Sequence, residues 1–257
     1  MNTPTNTFKE RLSAGETLYG LWLGVPDTSV AEICALAGFD WLLIDGEHGP
    51  FDLRSIQAHL QAMSAYPVSA IARPPSGETA GIKQYLDLGV QTLVIPMVES
   101  AAQAEQLVRD VRYPPAGARG LGTSLARAAR WNHVSDYLES ANREVCLVVQ
   151  VESVAGLENL DEILAIDDGI DGVFLGPSDL SASMGLLGKP GHPDVVARIT
   201  DALSRARAAG KAAGVLCMDP ELASEFEHAG ANFIGVGVDT QILARGAKEL
   251  AARFKSP

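Results

Sequence analysis

The stretch VCLVVQVESVAGLENLDEILAIDDGIDGVFLGPSD, Val145–Asp179, reads as one complete β-α-β unit. An apolar run, Val145–Val151, is followed by helical spacing over Ala155–Leu164 and then by a second apolar run, Gly172–Leu175. Near-continuous apolar runs suit strands covered on both faces, and strands joined through a helix lie parallel. Working outward, the same order recurs along the chain. Further strands are predicted at Leu18–Leu23, Trp41–Ile44, Val68–Ala72, Thr92–Ile95, Ala213–Leu216 and Phe233–Val236. Helical spacing follows them at Thr28–Ala37, Leu53–Ala65, Ala80–Leu88, Ala101–Val111, Val195–Ala209, Glu221–Ala229 and Thr240–Arg253. Glycines after Ala37, Leu88 and Ala229 mark helix ends. Eight such units close most naturally into a (β/α)8 TIM barrel, with a doubly wound open sheet as the alternative. The 257 residues are the length of one such barrel, so a single domain over 1–257 is expected. Two stretches exceed the minimal pattern, Arg112–Asn142 and Ser178–Pro193, and long insertions often serve active sites or interfaces.

Hydrophobic residues make up 47% and charged residues 20%, the balance of a globular chain with a large core. With 32 acidic and 20 basic side chains the net charge is −12, which argues against general nucleic-acid binding. No apolar run reaches membrane-spanning length, and Met1–Glu16 is polar, so a cytoplasmic location and no membrane partner are expected. Cys34, Cys146 and Cys217 are odd in number and far apart, which points to buried, reduced thiols.

In a barrel of this kind chemistry belongs at the carboxyl ends of the strands. There the sequence places Asp45-Gly46-Glu47-His48, Arg73, Gln150 with Glu152, and Gly176-Pro177-Ser178-Asp179. Gln150 and Glu152 share one side of their strand by its two-residue period, and Asp179 follows one unit later. Two carboxylates from successive strand ends can converge on a hard divalent cation. The competing readings are a solvated strand-end charge for Glu152 and a helix N-cap for Asp179. Asp45 beside His48 suits proton transfer, or else forms an ordinary βα turn; Glu47 can serve as a third ligand, though nothing requires it. Arg73, held extended by Pro74, either binds a carboxylate or oxyanion or forms a rim salt bridge with Asp45 or Glu47.

Arg112, Arg119, Arg127 and Arg130 gather positive charge in the first insertion, which can meet a neighbouring subunit or an anionic substrate tail, though solvated surface positions are expected for most of them. Gly117–Gly122 lacks the spacing and the strand-to-helix context of a nucleotide loop, and Gly235-Val236-Gly237 is a weak sign of a phosphate site. No lysine falls at a predicted strand end, which disfavours Schiff-base chemistry, and the serine-hydrolase elbow and zincin motif are absent. A cation, an arginine and an acid/base pair around one mouth suit enolate formation from an oxygen-chelating substrate.

Gly20-Leu21-Trp22, Phe39–His48, Arg73-Pro74, RYPPAGARGLGTSLARAARWN at Arg112–Asn132, Val149–Glu152 and Gly172–Leu180 together resemble the HpcH/HpaI aldolase family over nearly the whole chain. The likeness is to its hydroxy-oxo-acid branch, which includes 4-hydroxy-2-oxoheptane-1,7-dioate aldolase, rather than to the citrate lyase β-subunit branch. It implies a (β/α)8 barrel of the phosphoenolpyruvate/pyruvate type and a class II pyruvate aldolase working through a metal-stabilised enolate. Such enzymes serve aromatic compound catabolism. A homohexamer built as a dimer of trimers, with the last helix exchanged between subunits, is also implied. By the same resemblance Glu152 and Asp179 hold Mg²⁺, Mn²⁺ or Co²⁺, and Arg73 contacts pyruvate. His48, oriented by Asp45, moves protons, with Gln150 in the same cluster. Gly176, Pro177 and Ser178 cradle the carboxylate, while Trp22 and Leu216 border the aldehyde pocket. Ser178 stands where relatives often carry alanine. The rival functions are cleavage of 2-keto-3-deoxy sugar acids of the ketodeoxyglucarate or ketodeoxyrhamnonate type, a CoA-thioester lyase, and a non-catalytic metal and oxo-acid binder.

Overall fold

Alternate residues of a strand face opposite sides of a sheet, and here the two sets have different fates. In the computed structural model, which describes residues 1–255, one set lines a closed interior and the other packs under helices. The strands are β1 (Leu18–Leu23), β2 (Trp41–Asp45), β3 (Ser69–Arg73), β4 (Thr92–Ile95), β5 (Cys146–Val151), β6 (Gly172–Leu175), β7 (Ala212–Leu216) and β8 (Phe233–Val238). They pair in sequence order, all parallel, and β1 pairs with β8 through Leu18↔Phe233 and Gly20↔Gly235. That last pairing closes the barrel and excludes the open sheet. Residues 256–257 of the expected domain lie outside the described residues.

Inside the barrel, Trp22, Trp41, Leu43, Ile71, Val94, Val148, Phe174 and Phe233 form one cluster. Glycine makes room for its large rings. A Cβ at Gly20 would lie 2.0 Å from the Trp41 ring, and one at Gly214 would lie 2.3 Å from Phe233. Outside, Leu21, Leu42, Ile44, Leu93, Leu147 and Val173 pack against the helical layer.

The helices are α1 (Thr7–Ser13), α2 (Thr28–Ala35), α3 (Leu53–Met63), α4 (Thr79–Leu88), α5 (Ala101–Val111) and α6 (Tyr137–Glu144), followed by α7 (Val154–Glu158), α8 (Leu160–Leu164), α9 (Pro177–Ser183), α10 (Pro193–Ala208), α11 (Pro220–His228) and α12 (Asp239–Lys255). Helix α1 was not expected from the sequence. Asn6 caps it by accepting from Lys9 N–H, and Phe8 and Leu12 join the interior cluster, so α1 closes the barrel's amino end. The helix expected at Ala155–Leu164 is broken into α7 and α8 at Asn159, whose side chain donates to the Glu99 carbonyl at 2.7 Å.

The first insertion carries α6 and a small core of its own, Tyr113, Ala129, Val134, Tyr137 and Ala141. Its arginines are less exposed than expected. Arg119 is buried, while Arg112, Arg127 and Arg130 are half-buried. Arg112 forks onto Asp168, both contacts at 2.7 Å, and Arg119 pairs with Asp87 at 2.8 Å. Helix α12 buries only Asp239 and leaves Ile242, Leu243, Leu250 and Phe254 exposed. No helix among the described residues is long and apolar enough to cross a membrane. Cys34, Cys146 and Cys217 are free and buried.

Candidate active site

The inward-facing parity of each strand, continued one step past the apolar core, delivers the polar site. Trp41 and Leu43 point into the barrel, so Asp45 does too; Ile71 leads to Arg73 and Val148 to Gln150. Asp45 and Arg73 are direct register partners on β2 and β3. Arg73 Nε donates to Asp45 Oδ1 at 2.9 Å and Nη2 to Oδ2 at 2.7 Å, a two-pronged pair that is nearly fully buried. Its Nη1 lies 2.9 Å from Glu47 Oε2 and donates to Gln150 Oε1 at 3.4 Å. The Glu47 contact is an ion pair without hydrogen-bond alignment, since Oε2 has no hydrogen-bond partner among the described residues. One Nη2 hydrogen is left over for a further acceptor.

Gln150 Nε2 donates to Glu152 Oε2, and the Met97 backbone N–H donates to Glu152 Oε1 at 3.0 Å. Glu152 is 3% exposed. Burial, together with the negative charges of Asp179 and Glu47, pushes its carboxyl up to about 7, against the pull of the Met97 and Gln150 donors. Burial likewise raises Glu47. Glu152 follows β5 and Asp179 lies in the first turn of α9 after β6, so both stand at the carboxyl ends of two paired neighbouring strands. Asp179 is exposed in the first turn of α9, whose N-cap is Gly176, so the capping alternative for Asp179 does not hold. Gly176 has a steric reason to be glycine: a Cβ there would lie 2.3 Å from Glu152 Oε2 and 3.1 Å from Gln150 Nε2. The peptides of Pro177 and Ser178 open α9 beside this carboxylate.

The expected orientation of His48 by Asp45 is corrected. The Asp45 carboxylate is claimed by Arg73 and reaches His48 only through its backbone N–H, at 3.4 Å. The imidazole is 66% exposed, and the acid near it is Glu47, 3.7 Å away. A buried guanidinium outcompetes an exposed ring for one carboxylate, because an unpaired charge costs more where water cannot reach it. Glu47 completes no ligand set: among the described residues no three His, Cys, Asp or Glu side chains converge on one ion position.

Trp22 is buried against Phe174 and Trp41, with ring centroids 5.2 and 5.5 Å away. A Cβ at Gly235 would lie 2.5 Å from the Trp22 ring and 3.0 Å from Leu216 Cδ1, so the two side chains meet across that glycine. Gly235, read from sequence as a weak phosphate signal, is accounted for by this packing. Three contributors escaped the sequence reading. Met97, in a left-handed conformation at φ 54°, aims its N–H at Glu152. Tyr85 stands against Gly46, its phenol raised to about 12 by burial and by Asp45. Asp239 accepts the N–H groups of Gly24 and Val25 and fixes the loop after β1. A glycine between acids hints at the second; the other two involve backbone amides, which any residue carries.

Residues 18–246, from the first strand into the last helix, match the model of the HpcH/HpaI aldolase/citrate lyase family. The chain belongs to that family. It is 58% identical over 255 residues to a hydroxypyruvate/pyruvate aldolase of Pseudomonas aeruginosa, covering 99% of this chain and 95% of the relative. It is 52% identical over 249 residues to a 4-hydroxy-2-oxo-heptane-1,7-dioate aldolase of Salmonella dublin, covering 97% and 94%. Among solved structures, an HpcH/HpaI aldolase/citrate lyase family protein from Burkholderia cenocepacia superposes with a TM-score of 0.93 at 39% identity, covering 98% of this chain and all of that one. As a member of the HpcH/HpaI family the chain is an aldolase, a carbon–carbon lyase built on a (β/α)8 barrel.

Proposed function

We propose that this aldolase requires a divalent cation and cleaves 4-hydroxy-2-oxo acids to an aldehyde and pyruvate or a related 2-oxo acid. The carrying observation is that Glu152, buried after β5, and Asp179, in the first turn of α9 after β6, stand at the ends of paired neighbouring strands, with Gln150 bridging Glu152 to the buried Arg73. The donor set fits a cation. Glu152 is a buried carboxylate among like charges, with amide donors and no guanidinium or ammonium as an ion-pair partner among the described residues. Glu152 and Asp179 would hold Mg²⁺, Mn²⁺ or Co²⁺, with the remaining positions open to oxygen ligands. When bound there, the ion supplies Lewis acidity toward a 2-oxo acid.

The chain's own groups account for the rest. At the start of α9 the Ser178 N–H, which as a first-turn donor has no acceptor within the helix, receives the substrate carboxylate, while Gly176 and Pro177 shape the approach to it. Arg73, held by Asp45 and Gln150, presents its spare Nη2 hydrogen to the oxygen that gains charge as the C3–C4 bond breaks. His48, exposed at the mouth and near Glu47, takes the C4 hydroxyl proton and, after the aldehyde has left, returns it to C3. Trp22 and Leu216 limit the aldehyde side.

Helix α12, apolar on an uncovered face and packed mainly on β1 and β8, supports the exchange of this helix between subunits in a hexamer. The three free thiols suit the cytoplasm. A coupled assay of pyruvate release tests the central claim, using several 4-hydroxy-2-oxo acids with EDTA or added Mg²⁺, Mn²⁺ or Co²⁺. Turnover is expected only with metal and is lost in Glu152→Ala and Asp179→Ala. Full activity of either variant in chelator would overturn the metal assignment, and failure to release pyruvate from every acid would overturn the substrate class.

A further inference from the structure

At the opposite end of the barrel, a cavity of about 340 Å³ opens between the starts of β3 and β4, the end of α4 and the first insertion. Its volume lies in the lower range of small-molecule pockets. One wall is apolar, with the half-buried Tyr66, Val68 and Ala70. The other is cationic, in a chain whose net charge is −12: Arg119, Arg127 and Arg130 all line it.

These guanidiniums are incompletely matched. Arg119 is 3% exposed and lies 4.4 Å over the Tyr113 ring. Its Nη2 donates to Asp87 and to Tyr137, but its Nε has no partner among the described residues. Arg127 Nη1 donates to the Leu88 carbonyl at the end of α4, and Arg130 Nη1 to the Arg127 carbonyl. Neither Arg127 nor Arg130 forms an ion pair among the described residues. Burial and the nearby charge of Arg130 disfavour the charged form of Arg127. The carboxylate on the cavity wall, Glu144, already accepts the Asn6 N–H at 2.8 Å. Two half-buried cations without an ion-pair partner among the described residues, in a cavity that holds one carboxylate, Glu144, and an apolar wall, are complementary to an anion with a hydrocarbon body.

We propose that this cavity is a second ligand site, which takes a small organic acid with its carboxylate at Arg127 and Arg130 and its apolar part against Tyr66, Val68 and Ala70. The site is independent of the cation and of the roles given to the residues at the mouth. An organic acid is favoured over a free inorganic anion because the apolar wall would gain nothing from a fully hydrated ion.

Calorimetry with benzoate and with inorganic phosphate, on the whole protein and on Arg127→Gln/Arg130→Gln, tests the affinity. Crystals soaked in 4-bromobenzoate locate the ligand by the anomalous signal of bromine. Benzoate is expected to bind more tightly than phosphate, to lose at least about tenfold in affinity in the double variant, and to place bromine in the amino-end cavity. Undiminished binding by the double variant, bromine found only at the carboxyl-end mouth, phosphate binding as tightly as benzoate, or no benzoate binding would each overturn the site. Should the double variant fail to fold, the bromine position in the wild-type crystal decides alone.

Discussion

Replacing Glu152 by glutamine should make the metal-free protein more stable while ending its response to metal. The glutamine keeps the shape of the side chain and can still accept from the Met97 N–H. Its amide would face the Gln150 amide, but a flip of Gln150 restores a donor–acceptor pair there, at the cost of turning the Gln150 Nε2 toward Arg73 Nη1 in place of the 3.4 Å contact. What disappears is a buried negative charge. The carboxyl is raised in the fold from 4.5 to about 7, which at about 1.36 kcal/mol per unit corresponds to about 3 kcal/mol. That shift is already net of the attraction from Arg73, so about 3 kcal/mol is the whole penalty. For a domain of this length that is a rise in Tm of about 6–12 °C. The sign follows from linkage. A carboxyl raised in the fold is penalised fully above about pH 7, where the folded state must also release its proton, and the penalty fades as pH falls toward 4.5. Thermal unfolding in EDTA, at one protein concentration, should show Glu152→Gln melting above wild type at pH 8 and nearer to it at pH 5.5. Added Mn²⁺ should raise the Tm of wild type alone. A variant that melts at or below wild type at pH 8, and still gains from Mn²⁺, would refute both the buried-charge account and the ligand role.

Gly176→Ala puts a methyl 2.3 Å from Glu152 Oε2 and 2.8 Å from its Cβ, so the carboxylate or the start of α9 must move. A loss of about 1–3 kcal/mol in unfolding and of roughly 100-fold in kcat/KM is expected; wild-type turnover would show that the close approach is dispensable. Arg73→Lys keeps the charge but cannot span both oxygens of Asp45. Its kcat should fall by about 10²–10³, and steady-state kinetics that show only a raised KM would remove Arg73 from the bond-breaking step. His48→Asn, at an exposed position, should alter stability by less than about 0.5 kcal/mol yet lower kcat by roughly 10²–10⁴. An unchanged pH–rate profile in that variant would assign proton transfer elsewhere.

The barrel was legible because each strand announces itself as an apolar run and each unit repeats, so Leu18–Leu23, Thr92–Ile95 and Gly172–Leu175 fall where periodicity puts them. Helix α1 was not, because only Phe8 and Leu12 mark it within a polar segment, and their partners Trp41 and Phe233 are distant in sequence. The polar rim was legible as a list but not as a set of bonds. Asp45 stands three residues from His48, and local proximity suggested that it served the imidazole. In a barrel the stronger neighbour is the inward residue at the same level on the next strand, and for Asp45 that is Arg73. The competition is decided by water. Arg73 and Asp45 are both buried and must find counter-charges within the fold, whereas His48 projects into solvent and loses little without one. The arginines of the first insertion were misread for the converse reason. Charge in a glycine- and proline-bearing loop looks solvated until Tyr113, Tyr137 and Asp87 fold around Arg119, an arrangement that depends on long-range packing. Register and burial, rather than distance along the chain, therefore decide which charged groups at both ends of this barrel are satisfied within the fold and which are left to take a ligand.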